Sequence, residues 1–229
     1  MIKLNTFSIT ARCKKTGQFG VAVSTGMPAV GMLCPFARSG VGAVATQSFV
    51  NPYIGFWGLD LLAQGKQAEE VKDGILKREL NPARRQFAVV DRWGNAVAYT
   101  GEESDAWCGH VVGDNFAVAG NMLVGEETLQ AMVDSFQSTG EKSLVERLLL
   151  ALQAGQDAGG DKRGRQSAAI KVVDKEEYPY LDLRVDEHPE PVSELKRIYE
   201  VALRELVPSF SMLPTKENPA GNYGSEVAK

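Results

Sequence analysis

The stretch "NTFSITARCKKTGQFGVAVSTG", Asn5 to Gly26, decides the fold. Thr6–Cys13 and Phe19–Ser24 are rich in β-branched and apolar residues, and the segment between them is polar and carries a glycine. That pattern predicts a β-hairpin. A threonine stands at the head of its first strand, and the second strand runs into Ser24-Thr25.

Working outward, Gly26–Gly40 is rich in Gly and Pro and is expected to be loop. Val41–Phe49 ("VGAVATQSF") predicts a strand whose Gly42, Ala43 and Ala45 let another layer pack close. After the Asn51-Pro52 turn, helices are predicted over Tyr53–Gln64 and Gln67–Leu80, where apolar residues recur at helical spacing. Two hairpins follow, Arg85–Val90 with Ala96–Thr100 and Trp107–Val112 with Phe116–Ala119, each around a turn carrying Gly and Asn. Helices over Glu126–Ser138 and Ser143–Ala158 come next, the second opened by a Ser143/Glu146 capping box. Strands over Gln166–Val173 and Tyr180–Val185 precede a last helix over Pro191–Leu206. Strands arrive as hairpins and helices as neighbours, which excludes alternating βαβ units. The expected class is α+β, a four-layer αββα sandwich of two antiparallel sheets between helix layers.

With 229 residues, no repeats and no low-complexity linker, the chain reads as one domain, 1–207, with a polar tail, 208–229. A net charge of −4 gives no global field for nucleic acid, and the basic clusters are short. No apolar run is long enough to span a bilayer and no secretory signal pattern stands at Met1, so the expectation is a cytoplasmic protein without membrane contact. Three dispersed cysteines fit reduced thiols rather than a disulfide framework or zinc site. Two histidines cannot form a His-based metal triad, and Asp182 and Asp186 share a strand face without a third well-spaced ligand. No metal and no cofactor are expected.

The segments "TFSITAR", "GVGAVATQ", "NPYIGFWGLDLL", "GNML", "AGGDKRGRQSA" and "DLRVDEHPEPVSEL" resemble, in order, domain-of-unknown-function family 1028. The resemblance runs over about Thr6–Arg204, with "AGGDKRGRQSA" its most specific part. That family is grouped with the N-terminal nucleophile hydrolases, so the resemblance implies an αββα fold and an amide-bond hydrolase acting on a small amide or short peptide-like substrate. Thr6 would be the nucleophile. A hydroxyl needs a base, and with histidines scarce the threonine's own α-amine, with a pKa near 8, is one candidate. Family members commonly carry the hydroxyl residue directly after the initiator methionine, whereas here Met1–Asn5 precede Thr6, so the Asn5–Thr6 bond would have to be cut. The plain alternative is that Thr6 is a strand residue chosen for β propensity.

Asn121, after a strand, offers an amide donor for a tetrahedral oxyanion or else simply a turn residue. Ser24, Thr25, Thr46, Gln47 and Ser48 end strands near the head of the first one and are candidate substrate contacts. Asp161, Arg163, Arg165, Gln166 and Ser167 form a glycine-rich loop in which guanidiniums would orient a substrate carboxylate, or in which Asp161 pairs locally with an arginine. Two other classes stay open: a non-catalytic binding or scaffold protein, and an enzyme using Ser8, Ser48 or Cys34. The aromatic cluster Tyr53, Phe56 and Trp57 exceeds what a short helix needs for its own core and predicts a homodimer.

Overall fold

Strands β2 (Thr6–Arg12) and β3 (Phe19–Thr25) form the expected hairpin, in register from Thr6 opposite Thr25 to Arg12 opposite Phe19. The computed structural model describes residues 3–4, 6–104 and 107–222; Asn5, and with it one side of the Asn5–Thr6 bond, lies outside the described residues. The hairpin is the centre of an antiparallel sheet. On the β3 side lie β10 (Ser167–Val173) and β11 (Leu181–Val185); on the β2 side lie β9 (Phe116–Gly120) and β8 (Gly109–Gly113).

The second sheet runs β5 (Gly42–Phe49), β6 (Arg85–Asp91) and β7 (Ala96–Thr100). Two short strands pair with β5: β4 (Pro35–Arg38) along Gly42–Ala45 and β1 (Lys3–Leu4) along Ser48–Phe49. β4 lies inside the segment expected to be loop. Its Gly/Pro content hid it, because proline lacks an N–H yet is tolerated at the first position of a sheet-edge strand. Helix α2 (Ala68–Arg78) also stops earlier than its periodicity suggests, leaving Leu80 exposed.

Alternation assigns the layers. In β2, Phe7, Ile9 and Ala11 pack into the core under α3 (Glu127–Ser138), α4 (Leu144–Asp157) and α5 (Pro191–Glu205). Helices α1 (Tyr53–Ala63) and α2 cover the outer face of the second sheet through Val44, Phe87 and Val89. Between the sheets, Val21 and Val23 meet Ala43 and Ala45, the small residues that permit the close layer. The architecture is therefore the αββα sandwich. At Gly55 in α1 a Cβ would lie 2.2 Å from the Phe36 ring, and at Gly155 in α4 it would lie 2.7 Å from Met132, so both helices pass where only glycine fits. Among the described residues no helix is long and apolar enough to cross a membrane.

Candidate functional site

Since Phe7, Ile9 and Ala11 take the helix side of β2, the period of two turns Thr6, Ser8 and Thr10 toward the second sheet. All three hydroxyl residues are buried there. The Thr6 N–H donates to the Asn121 carbonyl at 3.3 Å, and the Asn121 N–H returns a bond to the Thr6 carbonyl at 3.0 Å. Both backbone groups of Thr6 thus point toward Asn121, and Thr6 faces Thr25 as a non-hydrogen-bonded pair, the closer kind.

The second sheet answers with carboxamides. Gln47 accepts from Ser8 Oγ at 2.7 Å and donates to Gln86 Oε1 at 2.8 Å and, at 3.4 Å, to the Thr6 carbonyl. Gln86 Oε1 also accepts from Asn121 Nδ2 at 3.0 Å, while Gln86 Nε2 donates to the Gly120 carbonyl, the Gly109 carbonyl and Thr100 Oγ1. Thr100 Oγ1 in turn meets His110 Nδ1 at 2.9 Å. The Thr100 hydroxyl, with one proton and two lone pairs, can donate to His110 Nδ1 or accept from it while also accepting from Gln86. Burial of that ring edge and the positive Lys72 both lower the His110 pKa, in the same sense. Thr6 Oγ1 itself is fully buried with no hydrogen-bond partner among the described residues.

Two positive-φ residues flank this network, Ser48 (φ 68) directly after Gln47 and Met122 (φ 52) directly after Asn121. Left-handed backbone at a non-glycine residue is costly and concentrates at functional positions.

The glycine-rich loop reaches the same end of the sheet. Asp161 bridges to Leu123 and is buried; its Oδ2 accepts the Gly26 N–H at 2.9 Å, next to Thr25. Arg163 closes on this carboxylate with its backbone N–H at 2.9 Å and with Nη2 at 2.8 Å. Arg165 instead pairs with Glu190. The Gln166 N–H holds the Thr25 carbonyl, and the Ser167 hydroxyl bonds to Met27 and Val30 backbone groups.

The family of unknown function DUF1028 matches residues 6–195. The chain belongs to this family. A DUF1028 protein from Silicibacter pomeroyi, known from its crystal structure, is 30% identical, with 96% of each chain covered and a TM-score of 0.88. Two ancestral β-subunit (Anbu) structures are far more distant. That from Yersinia bercovieri is 13% identical (91% of this chain, 98% of that one, TM-score 0.38); a Gly-1 mutant from Hyphomicrobium sp. strain MC1 is 13% identical (89% and 98%, TM-score 0.42). No curated protein matches.

In this DUF1028 chain the fold brings together Thr6, Thr25, Gln47 and Asn121, with Asp161 and Arg163 on the adjoining loop. It does not bring Ser24 or Thr46 to them. Ser24 lies on the helix side and donates to Gln156 of α4 at 3.4 Å, and the Thr46 hydroxyl donates to the Asn51 carbonyl. Ser48 reaches Ser104 at 3.4 Å. Cys34 lies 3.9 Å from Gln47 Oε1, but complete burial pushes its thiol up to about 12, so it is not a thiolate nucleophile near neutral pH. Gln86 and Thr100 escape the sequence reading, and His110 enters it only as one of two candidate histidine bases, taken as a surface or strand-end residue. The usable signal was Gln86 itself, a polar residue directly before the apolar run Phe87–Val90.

Proposed function

We propose that this DUF1028 protein is an amide-bond hydrolase whose nucleophile is Thr6, acting on a small amide or short peptide-like substrate. The observation that carries this reading is the buried Thr6 hydroxyl, without a hydrogen-bond partner among the described residues, on the residue whose carbonyl accepts from Gln47 of the Gln47–Gln86 carboxamide pair. The family match also begins at Thr6. In the active form Thr6 would carry a free amine, with the Asn121 carbonyl already placed to hold its nitrogen. The hydroxyl oxygen attacks the substrate carbonyl and its proton passes to the amine. Asn121 or a backbone N–H stabilises the oxyanion. The amine then protonates the leaving nitrogen, and water cleaves the acyl ester to restore the hydroxyl. Arg163, held by Asp161, orients a substrate carboxylate; Arg165 would do so only after leaving Glu190.

The amine must first be released. The Thr6 hydroxyl attacks the Asn5 carbonyl, the acyl group moves from nitrogen to oxygen, and water hydrolyses the ester. Intact-mass spectrometry is therefore expected to show loss of Met1–Asn5, and Thr6→Ala to abolish both that loss and amide hydrolysis. Full-length protein that still hydrolyses amides would remove the Thr6 amine from the mechanism. A second reading, a binding protein that keeps the fold without processing, is favoured by one observation: Thr6 is 0% exposed and its nitrogen is locked in the sheet. Uniformly full-length, inactive protein would support it.

A further inference from the structure

The far end of β2 carries a second concentration of chemistry. Arg12 lies six residues from Thr6, about 20 Å along the strand. There a cavity of about 340 Å³ opens between the β2–β3 turn, the β8–β9 turn and the helices α3 and α4. Its charge is lopsided: Arg12, Lys14, Lys15 and Arg147 line it against the single carboxylate Asp114. That carboxylate is already engaged by Lys14 and by Asn115 Nδ2 at 2.7 Å. In a chain of net charge −4 this is a local reversal of sign.

The two arginines are held in place by neutral groups, and beyond contact distance only Glu141 and the Cys13 thiol act favourably on the Arg147 charge. Arg12 Nη1 donates to Asn115 Oδ1 at 3.0 Å, and Arg147 Nη2 donates to the Phe136 carbonyl at 3.0 Å with its guanidinium 3.8 Å above the Phe136 ring. Neither has a carboxylate ion-pair partner among the described residues. Lys14 and Lys15 are exposed and solvated without a ligand, whereas the two arginines are half-buried. Taking a guanidinium out of water is costly unless an anion meets it, and burial does lower the Arg147 pKa. A buried thiol, Cys13, also lines the cavity. Burial would raise it, but hydrogen bonds from the Thr16 hydroxyl and from the Thr16 and Lys15 backbone, with Arg147 nearby, hold it below its ordinary value. The site thus favours negative charge even on a residue of its own.

We propose that this cavity, built by Arg12, Arg147 and the Lys14-Lys15 turn, binds a compact polyvalent oxyanion of the phosphate or sulfate type, remote from the Thr6 site. Forked guanidinium donors suit such an anion, and the cavity is of the size of small-ligand sites.

The test is calorimetric titration of the full chain with inorganic phosphate, sulfate and acetate at constant ionic strength set by chloride. Saturable one-site binding of phosphate or sulfate is expected, with acetate at least about tenfold weaker, the loss that goes with one charge-assisted hydrogen bond. Arg147→Gln should weaken phosphate by about tenfold or more, as should Arg12→Gln, which serves if the first variant fails to fold. A readout in the unmutated protein runs beside it: phosphate should slow alkylation of Cys13, located by peptide mass spectrometry, and leave the rate at Cys108 unchanged. Heats that never saturate, equal binding of acetate, or variants that bind as tightly as the parent would overturn the proposal. So would an alkylation rate at Cys13 indifferent to phosphate.

Discussion

Gln86 is the residue on which the two sheets meet. Its carbonyl oxygen collects donors from Gln47 and Asn121, and its amide nitrogen serves acceptors on β7, β8 and β9. A leucine of similar size would leave those partners buried and unsatisfied, at about 1–3 kcal/mol for each group left without a bond. Gln86→Leu is accordingly expected to lower urea-unfolding stability by several kcal/mol in total, more than Thr6→Ala, which removes a hydroxyl that makes no bond among the described residues. Equal stability of the two variants would show that the network is not what joins the sheets. Gln86 positions Asn121 and Gln47, while the Thr6 hydroxyl makes no hydrogen bond among the described residues.

At the scale of elements, the end of α2 is tied to the start of β6 by a buried ion pair. Glu79 and Arg85 side chains are 4% and 7% exposed and approach to 3.0 Å. Glu79 further accepts from Asn51 Nδ2 at 2.6 Å and from the Asn81 N–H at 2.9 Å, which closes the turn after the helix. Burial alone would raise this carboxyl, yet hydrogen bonds from Arg85, Asn51 and Asn81 outweigh it and hold the pKa below the ordinary glutamate value. A depressed carboxylate pKa stabilises the fold above the unfolded-state value, near 4.3, and that contribution is lost as pH falls through the folded-state value. Glu79→Gln should therefore cost stability at pH 7, about 3–5 kcal/mol if the Arg85 charge is left buried, and should flatten the acid side of the stability profile. Unfolding curves at pH 7 and at about pH 3 check both; an unchanged acid slope would rule out Glu79 as a contributor.

For the whole molecule, the outer face of α1 is the surface that stands out. Tyr53 and Phe56 are 65% and 53% exposed, and through edge-on and tilted ring contacts they join Trp57 and Phe36 in one aromatic group. The Arg38–Asp60 ion pair lies on the same face, an aromatic centre with a polar edge of the kind that interfaces show. We propose that a second copy of the chain covers it. Light scattering at micromolar concentration should give twice the 24.8 kDa chain mass, and Tyr53→Ser with Phe56→Ser should return the monomer without loss of helix signal. A monomeric parent protein would reject this.

The layers of this protein are legible in its sequence because periodicity is a local property. Phe7, Ile9 and Ala11 alternate with hydroxyl residues, the helices repeat every three to four positions, and Gly-containing turns set the hairpin registers. The family segments also pointed to Thr6 and to the Asp161–Arg163 loop. What periodicity cannot state is which inward residues of different strands meet. Gln47 and Gln86 are 39 positions apart, Thr6 and Asn121 115 apart, and their bonds exist only once β2 is laid against β9 and the second sheet is stacked over it. The edge strand β4 was hidden for the same reason: a Pro-led segment becomes a strand only when β5 offers it hydrogen bonds. Facing Ser24 toward α4 and Thr25 toward Thr6 was likewise a tertiary decision, since neighbouring strand residues look alike in sequence yet must point to opposite sides of the sheet.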